Sequence, residues 1–333
     1  MYQIKNIFIV LFLFIPLFLI TGPAIPDLSI TFGVIFFLLW IVLEEDKYSF
    51  IKSNFVLISL VFWLSLILIS IFAIDKHKSI QESLIFLRYI LIPISCYFLF
   101  FKKDKFFYFL LLIVFCLVVF VLIDTLYQFF NYSSQNGFGK DLLGFQSTWY
   151  GRLTGPFGDE LVPGAYISKF GLIGFSYLLL NDNLKKKIFL QSIYLGTILI
   201  VCYVSGERMA FATFALGLTI LLIFLNKNRT VILLSIIIGL SSIYLILKFH
   251  PFYNDYEIIE SNEFHQGLKI KKEYTCENDV KETCSKIIEL QPSFIEIIKN
   301  FKTSAYGEIY LLSYKMFRDN PITGIGVGNY QKT

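Results

Sequence analysis

Hydrophobic positions in this chain come in long runs, and polar residues cluster between them. Such runs lie near residues 4 to 22, 27 to 43, 55 to 74, 84 to 101 and 106 to 130. After a polar stretch they resume near 164 to 180, 188 to 205, 209 to 225 and 230 to 249. Each is close to the ~20 residues that a membrane-spanning helix needs. The pattern predicts an all-α, polytopic transmembrane helix bundle of about nine spans. The first run, which follows Lys5, has no small-x-small cleavage site and leads into Pro23 and Pro26, so it reads as a retained helix rather than a signal peptide.

The same pattern divides the chain. Residues 1–131 hold the amino-terminal transmembrane helices, and 132–163 form a loop rich in arginine and glycine. Residues 164–249 hold further spans, broken at Ser205-Gly206-Glu207-Arg208, and 250–333 form a long polar loop. Within that last loop, residues 305–318 have helical apolar spacing and end at Asp319-Asn320-Pro321. Their aromatic face suits a membrane surface or a cap over a cavity. The glycine alternation Gly324-Ile325-Gly326-Val327-Gly328-Asn329 follows a helix rather than a strand, which favours a turn packed on helices over a nucleotide site.

Composition agrees with the pattern. The chain is 56% hydrophobic with 37 phenylalanines, too apolar for an ordinary soluble domain. Its net charge of +4 says less than where the basic residues fall. Lys5, Lys47 with Lys52, Lys102 to Lys105, Lys185 to Lys187, and Lys227 with Arg229 occupy alternate gaps. By the positive-inside rule these gaps and the amino terminus are cytoplasmic. The loop at 149–166, the break at 206–208 and everything after Phe249 then face outward. No single basic patch exists, so nucleic-acid binding is not expected. Cys96, Cys116 and Cys202 sit in apolar runs and read as packing residues. Cys276 and Cys284 share a polar loop with no zinc-type spacing around them, and a local disulfide is expected if that loop faces an oxidising space.

Candidate chemistry concentrates on the outer side. The stretch 149–166 holds Arg152, Asp159 and Glu160 among Gly151, Gly155, Gly158, Gly164, Pro156 and Pro163. Glycine lets a ligand approach the backbone, and arginine suits an anion. The bland alternative is a capped interhelical turn. Arg88, Asp124 and Lys169 intrude into apolar runs, and with Arg208 they fall within about two helical turns of the expected outer surface. Ionisable groups at such depth line a cavity, pair with one another or snorkel. Four at one level predict a polar vestibule in which Asp124 neutralises a cation.

Four segments, in order, resemble the O-antigen ligase and O-antigen polymerase-like membrane glycosyltransferases. They are Asp124-Thr125-Leu126-Tyr127-Gln128 with Gly139 to Gly144, Arg152-Leu153-Thr154-Gly155-Pro156-Phe157-Gly158-Asp159, Ser205-Gly206-Glu207-Arg208-Met209-Ala210, and Asp319-Asn320-Pro321 through Tyr330. The resemblance covers residues ~120 to 333 and implies a large periplasmic loop. It also implies a place in the bacterial inner membrane, and transfer or polymerisation of a glycan carried on undecaprenyl diphosphate to a saccharide or lipid A-core acceptor. The expected class is a metal-independent inverting glycosyltransferase of lipopolysaccharide biosynthesis, with membrane lipid as its other partner. No Asp-x-Asp pair is present, and neither metal nor cofactor is expected. The family's loop histidine has no counterpart at His77, His250 or His265, so residues 1–333 alone are expected to be inactive, with the base lying beyond them.

On this reading Arg152 and Arg208 clamp the diphosphate as catalytic groups, because guanidinium stays ionised and binds phosphate with two parallel bonds. Arg88 and Lys169 are weaker substrate-binding candidates. Asp159, Glu160 and Glu207 either activate the acceptor hydroxyl or orient an arginine, and the second role is favoured. The rival from another class is a transporter or flippase for an anionic lipid-linked glycan, which would use the same vestibule without breaking a bond. A non-catalytic membrane scaffold is the third reading.

Overall fold

In this computed structural model the described residues are 2–43, 53–100, 104–147, 149–181, 187–261, 268–276, 283–290 and 294–332. Lys47, Lys52, Lys102, Lys103, Lys185, Lys186 and His265 lie outside them. The protein is mostly helical. Among the described residues, five helical stretches are long and apolar enough to cross a membrane: Ala24–Leu43, Lys76–Tyr97, Phe106–Phe130, Lys187–Val204 and Asn226–Phe249. Asn54–Ser70 and Arg208–Phe224 are shorter apolar helices.

The chain forms two compact units. The first comprises Met1–Leu19, Pro23–Phe109 and Phe301–Thr333. It contains α1 (Tyr2–Leu13), the short α2 (Ile15–Phe18), α3 (Ala24–Leu43), α4 (Asn54–Ser70) and α5 (Lys76–Phe100). The single span expected at 4 to 22 is interrupted at Phe14, and Leu19–Thr21 tightens to a 3-10 turn. Pro16 is the reason: it has no amide to donate to the preceding turn, and its ring crowds the carbonyl four residues back. Helices α4 and α5 meet through fully buried Ser70, Ser79 and Ser83, whose hydroxyls bond to one another at 2.8 and 2.9 Å. Such small polar contacts let helices approach closely where burial of apolar surface gives no driving force.

The second unit comprises Ile20–Gly22 and Leu110–Asn300. It takes most of α6 (Asp104–Phe130), then α7 (Pro163–Leu180), α8 (Lys187–Val204), α9 (Arg208–Phe224), α10 (Arg229–Phe249) and the short α11 (Pro251–Asn254). Pro163 starts α7 at a position where a missing N–H does no harm. The core of this unit is built around fully buried Val118, Ile167, Leu195, Ile198, Phe214 and Ile232. Helices α8 and α10 pack tightly, and Gly239 makes this possible: a Cβ there would lie 2.6 Å from Leu199 Cδ2. The outward faces carry exposed Leu216, Ile223, Phe224, Ile237 and Leu245, the surface expected against lipid.

The all-α expectation needs one correction. After α11 the chain builds a three-stranded antiparallel sheet, β1 (Glu257–Ser261), β2 (Leu268–Thr275) and β3 (Thr283–Leu290), in the order β1-β2-β3. Ile270 and Lys272 point to the buried face of β2. A lysine at an inward position hides the alternation that marks a half-buried strand. Beyond the sheet come α12 (Phe294–Lys299) and α13 (Ala305–Asp319).

Cys276 and Cys284 are joined across the mouth of the β2–β3 hairpin, with Cα atoms 5.4 Å apart. Cys96, Cys116 and Cys202 are free. Alkylation of the denatured, unreduced protein should therefore modify three of its five cysteines and leave this pair intact by mass. Five alkylated thiols would refute the bridge.

Candidate functional site

The site lies where three segments of the second unit meet at one end of its helices. Its centre is Glu207, the residue before α9. Glu207 Oε1 accepts from Gly164 N at 2.7 Å and Oε2 accepts from Ala165 N at 3.0 Å. The first amides of α7 have no partner within their own helix, so this carboxylate caps α7 from 43 residues away. The cap joins the Ser205–Arg208 break to the end of the 149–166 loop.

A second seam holds the front of that loop. Leu153 N donates to Ser205 O at 3.2 Å, and Gly206 lies against Gly151 O and the Arg152 side chain. A Cβ on Gly206 would come within 2.6 Å of that carbonyl, and its φ of 78° is one that glycine adopts freely. The third seam comes from α6. Fully buried Gln128 accepts from Thr154 N at 3.0 Å and Gly155 N at 2.9 Å, and donates to Thr154 Oγ1 at 3.0 Å. One side-chain amide thus satisfies the backbone where the loop turns inward.

Within this frame Arg152 is held loosely for its charge. Its Nη2 donates to Leu161 O at 3.1 Å, while its buried Nε has no partner. Among the described residues no carboxylate lies within ion-pair distance of it. Glu207 is close enough to feel its charge, yet both carboxylate oxygens are used on α7. Burial pushes the Glu207 carboxyl up, while the Gly164 amide, Arg152, the Ala165 amide and Lys169 oppose the shift. Lys169 sits exposed on α7, and Arg208 opens α9, half-buried and in contact with neighbours. Asp159 and Glu160 are exposed beyond the Gly155–Phe157 turn.

The structure thus gathers Arg152, Lys169, Glu207 and Arg208 into the same region of one unit, with Asp159 and Glu160 further along the same loop. Arg88 is held within the other unit. Its Nη2 pairs with Asp27 Oδ1 at 2.7 Å, its Nη1 bonds Thr31 Oγ1 at 3.0 Å, and Tyr89 completes the group. Asp124 was expected to neutralise a cation. Instead its Oδ1 accepts from Leu142 N at 2.9 Å, its Oδ2 is buried without a partner, and the adjacent Thr125 hydroxyl is likewise unpartnered. His250 accepts from Phe252 N at 3.2 Å through Nδ1 and stacks on Phe129 at 4.1 Å, a capping and packing role.

Sequence reasoning missed Lys272. It is fully buried on β2, donates to the Tyr132 hydroxyl and to Phe252 O at 3.2 Å, and is ringed by aromatic side chains. Its Nζ lies 4.9 Å from the Tyr132 ring, 5.4 Å from Tyr150, 5.2 Å from Phe252 and 5.5 Å from Tyr256. Ring faces attract an ammonium, so this cage ties the sheet to the loop that carries Arg152. The same contact brings Leu290 of β3 against Gly151. Gln128 was also missed, although its spacing of four from Asp124 puts both on one face of α6.

No family model, no curated protein and no solved structure matches this chain.

Burial pushes Lys272 from 10.5 down to about 8, and Asp255 pulls the other way. The folded state then binds fewer protons at this position than the unfolded chain. Its contribution to stability is smallest below about pH 8 and grows as pH rises towards 10.5. Tyr132 and Tyr150, raised by burial, impose the opposite trend once unfolded tyrosine ionises near 10. Between about pH 8 and 9.5 the melting temperature of the wild type should therefore climb by roughly 2–4 °C relative to Lys272→Met. Parallel curves for the two proteins would show that the buried ammonium carries no such penalty.

Proposed function

We propose that this chain is a membrane glycosyltransferase of the O-antigen ligase or polymerase type, acting on a glycan linked to a polyprenyl diphosphate at the outer face of the inner membrane. The observation that carries the reading is Arg152. It is a guanidinium with a buried, unpartnered Nε and no carboxylate in ion-pair range among the described residues, in a glycine-lined turn against the 205–208 break. Had Arg152 been a structural ion pair, Glu207 was its natural partner, and Glu207 is committed to α7.

Departure of a lipid diphosphate places negative charge on phosphate oxygens. A preorganised arginine lowers the energy of that charge more than it lowers the energy of the bound substrate, which accelerates the reaction. Lys169 and Arg208 add positive potential from α7 and α9. Glu207 acts by orientation, since both its oxygens hold amides and neither is left to take a proton from an acceptor hydroxyl. Undecaprenyl diphosphate-linked glycan is the donor in this reading, and a saccharide or lipid A-core the acceptor.

Topology supports the outward placement. Lys187 bonds Leu179 O, and Arg229 bonds Leu222 O and Ile223 O, at the end of the helices away from the 205–208 break. Basic residues at that end favour the cytoplasm, and the bridge between Cys276 and Cys284 suits an oxidising space on the other side. The shorter helices, with α7 and the broken run of α1 and α2, would complete nine spans from a cytoplasmic amino terminus. The transporter or flippase reading draws on Asp124 Oδ2 and Thr125 Oγ1, buried and unpartnered near Gly155, as a site for a coupling ion.

Transfer of labelled glycan from polyprenyl diphosphate to an acceptor, by purified protein from the whole reading frame, separates the two. Arg152→Lys keeps the charge and loses the planar fork, and should reduce transfer about 10²- to 10³-fold while the protein still inserts. Unchanged transfer by Arg152→Lys would remove Arg152 from the mechanism. Movement of intact lipid-linked glycan across the bilayer without transfer would favour the transporter.

A further inference from the structure

Helix α13 is largely exposed. Of its 15 residues only Gly307 is buried, and its main packing partner is the Phe301–Thr303 turn just before it. Ser304 caps it by accepting from Gly307 N at 3.1 Å, and Phe301 meets Tyr310 with ring centres 5.9 Å apart. At 100° per residue, Leu312, Met316, Ile309, Tyr306, Phe317 and Tyr310 share one broad face, while Glu308, Lys315 and Arg318 lie on the other side together with Leu311 and Tyr314, and Asp319 sits at the edge beside Leu312. Ile309 is 52% exposed, Tyr310 59% and Phe317 64%. An isolated helix of this length is marginal in water, so its apolar face needs a partner.

What lies next to α13 identifies that partner. The glycine turn that follows is pinned to the start of α5, a membrane-spanning candidate. Ile74 N donates to Ile325 O at 3.4 Å, and buried Asn329 donates to Asp75 O at 3.5 Å and Ile325 O at 3.0 Å. Gly326 fits against Ala73 and Ser79 because it has no Cβ. From Asn320 to Ile325 the chain reaches at most about 18 Å, and the bond from Gly324 N to Asn320 O folds it shorter still. Exposed Ile71, Phe72 and Ile74 carry the lipid-facing surface right up to this attachment. The carboxyl end of α13 is therefore held where that surface meets water.

We infer that α13 is an interfacial helix, lying along the bilayer surface with its Ile309, Tyr310 and Phe317 face sunk to the level of the headgroups. Tyrosine and phenylalanine belong at this depth, and the opposite face remains in water. Its two acidic and two basic residues cancel, so attachment rests on apolar area and not on anionic lipid. The inference uses only the membrane-spanning character of α5 and is independent of the arginine site.

The test is fluorescence quenching in nanodiscs by brominated phosphatidylcholine. With Cys96, Cys116 and Cys202 changed to alanine, a bimane label is placed through Tyr310→Cys or Phe317→Cys on one face, and Glu308→Cys or Lys315→Cys on the other. Quenching should be at least about threefold stronger at 310 and 317 than at 308 and 315, and unchanged when phosphatidylglycerol is added. Equal quenching at all four positions overturns the inference. So does shielding of 310 and 317 without lipid quenching and with cross-linking between chains, which would put a second copy on that face. Should a cysteine variant fail to fold, photoactivatable phosphatidylcholine added to the unmodified protein answers the same question. Its adducts should map to residues 305–318, and their absence overturns the inference.

Discussion

The architecture of the candidate site depends on one carboxylate bound to two amides. Glu207 caps α7 with both oxygens, and α7 begins where the 149–162 loop ends. Without that cap two amides at a low-dielectric helix end would lose their partner, at a cost of about 1–3 kcal/mol each. The loop would also lose its attachment to the 205–208 break at one end. The remaining seams, Leu153 to Ser205 and Gln128 to Thr154 and Gly155, then hold the loop without fixing where α7 starts. Commitment of Glu207 to backbone amides has a second consequence. It leaves the neighbouring guanidinium of Arg152 without a direct ion pair, so that its buried Nε stays open to an anion.

The sheet adds a further layer. An inward lysine on β2 is an expensive way to close a small domain unless its ammonium is enclosed by groups that favour it. Four aromatic rings, a tyrosine hydroxyl and a backbone carbonyl do so here. Because two of those rings, Tyr132 and Tyr150, flank the Arg152 loop, the pairing of β1, β2 and β3 and the position of that loop are coupled.

Much of this was legible in the sequence, for physical reasons that differ from element to element. Long apolar runs announce membrane helices because the bilayer leaves the backbone few other options. The 149–166 loop and the 205–208 break stand out because glycine, proline and charge interrupt those runs, and the glycine turn at 324–328 does pack on a helix as expected. The pairing of Arg88 with Asp27 was hidden, because the two are 61 residues apart and Asp27 stands at the edge of its apolar run rather than within it. The sheet was hidden by Lys272, which carries a polar residue into the position where the alternation calls for an apolar one. Pro16 showed its effect only in three dimensions, where the first run splits rather than crossing as one helix.

The most direct test of the account is the thermal stabilisation of the purified protein by polyprenyl diphosphate, compared between wild type and Glu207→Ala. The account predicts that the diphosphate, and not the uncharged polyprenol, raises the wild-type melting temperature by several degrees. Glu207→Ala should start lower and lose most of that shift, because the start of α7 is no longer tied to the break beside Arg152. A full shift in Glu207→Ala, or an equal shift with polyprenol, would contradict it.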